Sequence, residues 1–181
     1  MAKKIFSCCI TGLNCQIIEV EADISNGLPA FSIVGLGDTS VQESRERVRS
    51  SIKNSGATFP PTHKIVNLAP AEIRKQGSLF DLPVALSILL ASDQVDCRHF
   101  ENSIIIGELS LDGSVKKIRG AIAIAQHAKE QGFKKIFLPA PNAREASLIE
   151  NLSIYPVRHL RDLINYSKNP LTLKTHPVET F

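Results

Sequence analysis

The sequence has no tryptophan, and only two of its 181 residues are tyrosine. Aromatic residues make up 6% of the chain, so few side chains are available to stack on nucleic-acid bases. Tyr155 and Tyr166 fall within a predicted strand and a predicted helix. We therefore do not expect recognition of a base sequence, or of single strands by stacking.

Cysteine is scarce and is not arranged in metal-binding pairs. Cys8, Cys9, Cys15 and Cys97 form no C-x-x-C motif. On a strand, the adjacent Cys8 and Cys9 would point to opposite faces. The histidines are scattered along the chain, at His63, His99, His127, His159 and His176. We expect reduced, mostly buried thiols of a cytoplasmic protein and no metal site.

Neither a strong charge nor a membrane-length apolar run is present. The net charge is +3, from 21 Lys and Arg against 18 Asp and Glu, which is too weak to indicate nucleic-acid binding alone. A bilayer span needs about 20 apolar residues, and Lys3 and Lys4 precede no long apolar segment, so neither a signal peptide nor a membrane partner is expected. One globular domain is predicted over residues 1–166, with 167–181 as a linker or disordered tail.

One apolar stretch, from Leu82 to Ser92, predicts a helix buried on all sides. Asp81 precedes the stretch, and Pro83 stands where a first-turn proline is tolerated. The polar loop before it, Glu72–Ser78, is either a functional edge held by the helix or an ordinary entry loop.

The remaining pattern indicates a mixed α/β (α+β) fold with a mostly β first half and strand–helix alternation in the second. Predicted strands in the first half are Lys4–Ile10, Gln16–Ala22, Phe31–Val34 and Lys64–Leu68, the first three forming an antiparallel meander. The second half predicts strand Ser103–Gly107, a hairpin turning at Asp112-Gly113, helix Gly120–Gln131, strand Lys135–Pro139, helix Asn142–Glu150, strand Ser153–Val157 and helix Leu160–Tyr166.

Gly35 and Gly37 lie between a predicted strand and a predicted helix, as in phosphate-binding turns. Neither the dinucleotide nor the P-loop fingerprint is complete, and a tight turn before a capped helix explains both glycines. The candidate helix caps are Asp38, Thr39 and Ser40, with Gln42 or Glu43 completing a capping box.

The helix that follows carries Arg45, Arg49 and Lys53 at i, i+4 and i+8, with Arg47 beside them. Such a row is either a solvated face or a surface that binds phosphates or an acidic partner.

Three stretches together resemble a known family: Asn26–Gly56, Asn67–Leu86 and Gly107–Ala125. They resemble the N-terminal domain of the ComM/YifB proteins, which are magnesium-chelatase-like AAA+ ATPases. That domain is similar to the proteolytic domain of Lon. The resemblance implies a Lon-protease-like fold, shared with a ribosomal-protein domain and with small-molecule kinases.

The resemblance also implies a function for the longer protein. An AAA+ module would follow this chain, bind ATP and Mg²⁺, and form a hexameric helicase for DNA branch migration in natural transformation. The expected partners are that module, sister subunits and DNA, with this domain serving ring assembly. The chain contains no G-x-x-x-x-G-K-[ST] motif, so we expect neither ATPase activity nor a cofactor in this fragment.

The similarity to Lon raises the alternative of a Ser/Lys peptidase. In KQGSLF, the position of the Lon nucleophile falls on Leu79, and Ser78 is one residue early. One residue changes the side-chain direction on a helix by about 100°. The position of the Lon lysine falls on Ile122. We therefore expect no catalytic residue.

Other functions follow from other residues. A subunit of a metal-chelatase complex would need a cation site, for which Glu108, Ser110 and Asp112 are candidates. A small-molecule phosphotransferase would need the GLGDTS turn, which precedes the wrong helix. Candidates for binding DNA or a partner are Arg45, Arg49, Lys53, Arg74, Lys75, Lys116, Lys117 and Arg119.

Overall fold

The computed structural model describes residues 3–180. A seven-stranded sheet has the order β3-β4-β2-β1-β5-β8-β9, and a separate two-stranded sheet pairs β6 with β7. Most neighbouring strands in the large sheet are parallel. The predicted mixed α/β class is confirmed. Residues 1, 2 and 181 of the predicted domain and tail lie outside the described residues.

The elements follow the predicted order, with shifted ends. The strands are β1 (Lys4–Thr11), β2 (Asn14–Ser25), β3 (Ala30–Val34), β4 (His63–Ala69), β5 (Ser103–Ile105), β6 (Glu108–Leu109), β7 (Val115–Lys116), β8 (Lys135–Pro139) and β9 (Ser153–Val157). The helices are α1 (Thr39–Asn54), α2 (Asp81–Ala91), α3 (Ala121–Glu130), α4 (Ala143–Ala146) and α5 (Leu160–Lys168).

The predicted antiparallel meander of the first three strands is wrong. β1 and β2 form a hairpin, but β3 pairs with β4, in parallel, and β4 separates it from β2. A parallel pair needs a crossover connection, and α1 supplies it. Asp38 caps α1 by accepting a hydrogen bond from Val41 N at 2.9 Å. The helix therefore carries the chain from the end of β3 back to the start of β4, its parallel neighbour.

The sheet separates two cores. The first contains α1, α2 and α5, and the second contains α3 and α4. Cys9 lies in the first core and Cys8 in the second, which confirms that the adjacent thiols face opposite sides of β1. Every residue of α2 from Asp81 to Leu90 is buried, as its apolar run predicts.

The segment after the predicted boundary at Tyr166 is not a loose tail where it follows the domain. Helix α5 continues to Lys168. Further on, His176 N donates to Ile154 O of β9 at 2.7 Å, and Glu179 N donates to Ser147 O at 3.3 Å. Backbone hydrogen bonds therefore hold this segment against the edge strand β9 and the end of α4.

Within residues 3–180, every helix is too short or too polar to cross a bilayer.

Candidate functional site

A cleft lies between α1 and the edge strand β3. Its volume is about 590 Å³. Arg45, Arg49 and Lys53 line one wall, and all three are exposed. The three cations predicted to form a row on α1 therefore line the same cleft. Glu46 is the acidic residue among its lining side chains.

The opposite wall of this α1–β3 cleft is largely apolar. Its lining residues are Pro29, Ala30, Phe31, Phe59, Pro60 and Pro61. The rings of Phe31 and Phe59 lie 5.6 Å apart. Lys64 also lines the cleft, is 2% exposed, and places Nζ 4.6 Å from the Phe59 ring centre. Its Nζ donates to Pro60 O at 2.7 Å, and burial lowers the pKa of Lys64.

Lys75 does not belong to a basic surface, contrary to the sequence prediction. The side chain is completely buried. Its Nζ donates to Gly35 O at 2.6 Å and also to Pro70 O. Burial lowers the pKa of Lys75. The amine joins two loops, whereas its neighbour Arg74 remains exposed.

The same two loops are joined along their backbones. Asp38 N donates to Lys75 O at 3.0 Å, and Lys75 N donates to Leu36 O at 3.1 Å. A Cβ at Gly35 would lie 2.0 Å from Leu68 O. Gly35 is therefore needed because its backbone lies against the backbone of Leu68, which agrees with the tight turn predicted at this glycine.

A second group of cations lies at the end of β7 and on the loop from β7 to α3, together called the basic loop. Lys116, Lys117 and Arg119 are all exposed. Asn142 Oδ1 accepts from Ile118 N at 3.0 Å, and Asn142 Nδ2 donates to Ile118 O at 2.9 Å. Asn142 stands at the N-cap position of α4, but its buried side chain makes no capping hydrogen bond and instead fixes this loop.

The basic loop leads into the start of α3. Its N-cap is Gly120, which supplies no side-chain cap, and the first turn has no acidic residue. Helix N-termini carry partial positive charge and free N–H groups, which favour anions. The loop cations and the helix end therefore present positive charge together.

The Lon-like positions have a different chemistry from a Ser/Lys pair. Ser78 Oγ donates to Glu108 Oε2 at 2.6 Å. Leu79 is partly buried and packs against both cores, and Ile122 is 40% exposed. In the part of the chain that the structure describes, Ser78 is thus hydrogen bonded to a carboxylate, with no lysine amine bonded to its hydroxyl.

The candidate cation ligands are engaged with protein groups. Glu108 accepts from Ser78, and Asp112 Oδ1 accepts from Ser114 N at 2.9 Å and Ser114 Oγ at 2.5 Å. Ser110 O accepts from Ser51 Oγ. Among residues 3–180, no three His, Cys, Asp or Glu side chains come together as a metal site.

A buried ion pair between Asp81 and Arg47 was not predicted from the sequence. Asp81 lies in the first turn of α2, which begins after Phe80 without a side-chain cap. The Asp81 carboxylate is fully buried and accepts from Arg47 Nε at 2.6 Å, Arg47 Nη2 at 3.1 Å and Leu109 N at 3.0 Å. Burial raises the pKa of Asp81, and the hydrogen bond from Arg47 opposes that shift. In the sequence, Arg47 stands beside the exposed row of α1 and out of line with it, which was the one local sign that it has a different partner.

Comparison with known proteins places the chain in a family. The family described as "Subunit ChlI of Mg-chelatase" matches residues 20–142. The competence protein ComM of Haemophilus influenzae is 35% identical over 162 residues, covering 90% of this chain and 32% of that protein. The uncharacterized protein YifB of Escherichia coli K12 is 40% identical over 150 residues, covering 83% of this chain and 29% of that protein.

A more distant relative is described as a protease. The Lon-like protease BrxL of Bacillus cereus is 25% identical over 130 residues, covering 69% of this chain and 19% of that protein. The chain spans about a third of the length of its ComM and YifB relatives. On the family match and these relatives, the chain belongs to the Mg-chelatase ChlI-subunit family, together with ComM and YifB.

Proposed function

We propose that this chain is a non-proteolytic, Lon-like N-terminal domain of a ComM-type AAA+ ATPase. In the longer protein it supports assembly of a hexameric ring and contacts DNA during branch migration, while a separate module binds ATP and Mg²⁺. The similarity to ComM supports the family part of the proposal. The site geometry supports binding in preference to hydrolysis.

The lack of peptidase chemistry rests on three side chains. A serine nucleophile needs a base within hydrogen-bond reach, and in Lon-type enzymes that base is a lysine. Here Ser78 donates to Glu108, while Leu79 and Ile122 occupy the positions that correspond to the Lon dyad. Two apolar side chains can neither attack a carbonyl nor accept a proton.

DNA contact is best supported at the loop of Lys116, Lys117 and Arg119. The three side chains are exposed, and the pair of hydrogen bonds between the Asn142 side chain and the Ile118 backbone holds the chain between them. A fixed loop loses less conformational entropy when it binds a phosphate backbone. This preorganised cluster is the single observation that carries the DNA part of the proposal.

A filter-binding experiment with a labelled DNA duplex tests this contact. The unaltered chain should retain the duplex at about 50 mM salt and lose affinity steeply by about 200 mM. Replacing Lys116, Lys117 and Arg119 with Gln should weaken retention. It should also reduce the slope of log affinity against log salt concentration by about 2.7, the value for three phosphate contacts.

The matched control changes the same number of charges elsewhere. Replacing Arg45, Arg49 and Lys53 with Gln should leave retention close to that of the unaltered chain. No retention by the unaltered chain at low salt, or full retention by the loop variant, would refute DNA contact at the basic loop.

A further inference from the structure

One edge of the large sheet is open. β3 stands at the end of the strand order and is hydrogen bonded on one side by β4. On the other side, Gln42 Nε2 donates to Ile33 O at 3.1 Å. Backbone groups alternate in direction along a strand, so Phe31 directs its N–H and C=O outward in the same way.

The opposite edge of the sheet is protected. His176 N occupies Ile154 O of β9, and Pro156 has no N–H to offer a further strand. Proteins commonly block exposed edges with prolines, charged side chains or covering segments. β3 carries no charged residue and no proline, and Leu28 and Val34 beside the open edge are 87% and 45% exposed.

The open edge borders the α1–β3 cleft. A strand added beside β3 would lie between the apolar wall and the row of Arg45, Arg49 and Lys53. A DNA phosphate can accept from the unpaired strand N–H groups but offers no donor to the C=O groups, whereas an extended polypeptide pairs with both. The polypeptide should be acidic, because three exposed cations line the cleft and Glu46 is the single acidic residue among its lining side chains.

The spacing of the row matches that of an extended chain. Residues four apart on a helix are separated by about 6 Å along its axis. Alternate residues of a strand are separated by about 6.6–6.8 Å. Because α1 connects two parallel neighbouring strands, it runs back alongside β3. The axis of α1 and a strand added beside β3 therefore run roughly side by side.

We propose that the β3 edge and the α1 row together form a docking groove for an extended acidic polypeptide segment. The segment pairs with both backbone groups of Phe31 and with the N–H of Ile33, whose C=O already accepts from Gln42, and so adds an eighth strand to the sheet. It carries Asp or Glu at every second position, opposite Arg45, Arg49 and Lys53. This inference is independent of the DNA contact proposed at the Lys116–Arg119 loop.

The probe is a fluorescent peptide of about six residues, the usual length of a strand, with alternating Glu and Val. Its affinity for the chain is measured by fluorescence anisotropy at low salt. A second peptide has the same side chains but N-methylated backbone amides, and a third has Gln in place of Glu. We expect the first peptide to bind and both controls to bind at least tenfold more weakly.

Two protein variants, one hydrogen-exchange measurement and a DNA competitor complete the test. Replacing Arg45, Arg49 and Lys53 with Gln should raise the Kd of the acidic peptide about tenfold, while the same change at Lys116, Lys117 and Arg119 should not. The amide of Phe31 should exchange its hydrogen more slowly when the peptide is bound.

Three results would overturn the docking groove. The first is no peptide binding up to about 1 mM. The second is equal binding of the N-methylated peptide, which would show attraction by charge without strand pairing. The third is displacement of the peptide by a DNA oligonucleotide whose own affinity depends on the α1 row, which would assign the groove to DNA.

Discussion

Arg47 Nε lies 2.6 Å from Asp81 Oδ2 and joins the crossover helix α1 to the buried helix α2. The Asp81 side chain has no exposed surface, whereas that of Arg47 is 21% exposed. The same carboxylate accepts from Leu109 N, so one charge also holds the first strand of the hairpin. The position of Glu108, the partner of Ser78, therefore depends on this ion pair.

Arg47→Met should destabilise the chain by about 3–5 kcal/mol, because it leaves an uncompensated carboxylate in the core. Arg47→Met combined with Asp81→Asn should recover part of that loss, since the amide still accepts from Leu109 N without a buried charge. Urea unfolding measures both free energies. Arg49→Met, at an exposed position, should change stability by no more than about 0.5 kcal/mol, and equal losses for Arg47→Met and Arg49→Met would contradict the role of the pair.

Lys75→Met should cost about 1–3 kcal/mol of stability, because two loop carbonyls lose their donor. Burial lowers the pKa of the Lys75 amine in the folded state. The folded chain therefore holds this proton less tightly than the unfolded chain, and the penalty fades as pH rises toward the ordinary value of 10.5. Measured from pH 7 to 10, the free energy of unfolding of the unaltered chain minus that of Lys75→Met should increase with pH. A difference that stays constant would exclude Lys75 as a source of pH dependence.

Cys8 and Cys9 should resist alkylation in the folded chain. Burial raises the pKa of both thiols above the ordinary value of 9.0, so little reactive thiolate forms at pH 8. Mass spectrometry after brief iodoacetamide treatment should find the half-buried Cys97 modified first, and Cys8 and Cys9 only after urea is added. Rapid modification of Cys8 under native conditions would mean that β1 is not packed between the two cores.

The same thiols make stability dependent on pH. Their folded pKa is raised, so the folded state keeps protons that the unfolded state loses above pH 9.0. The free energy of unfolding should fall as pH rises past that value, and Cys8→Ala should reduce the slope. An unchanged slope in Cys8→Ala would assign the alkaline loss to other groups.

Asn142→Ala should loosen the basic loop. It leaves the N–H and C=O of buried Ile118 without partners, at about 1–3 kcal/mol for each group. Hydrogen exchange at the Ile118 amide should accelerate, and duplex retention should weaken although no charge has been removed. Unchanged retention with accelerated exchange would show that DNA contact does not require a fixed loop.

The local elements were predictable from the sequence, but the long-range contacts were not. The apolar run after Asp81 predicted the buried helix α2. The Asp112-Gly113 pair predicted the turn of the hairpin formed by β6 and β7. Lys75 appeared exposed because it sits in a polar loop, and its acceptor Gly35 O is 40 residues away. Asn142 does stand at the start of a helix, but its side-chain partner Ile118 lies 24 residues away on another loop and could not be predicted from the local sequence.

Strand pairing also depended on distant parts of the chain. Nothing between β2 and β3 shows that β4 will lie between them, because β4 comes later in the chain, after the α1 crossover. The buried pair of Arg47 and Asp81 was missed because charge patterns on one helix do not reveal a partner on the next.

The proposed function requires that this domain binds its partners and does not hydrolyse them. The most direct measurement incubates the chain with unfolded casein and follows the appearance of fragments, beside a Ser78→Ala control. We predict intact casein in both samples, because Ser78 is hydrogen bonded to Glu108 and the two positions of the Lon dyad are apolar. Fragments that form with the unaltered chain and vanish with Ser78→Ala would contradict the account.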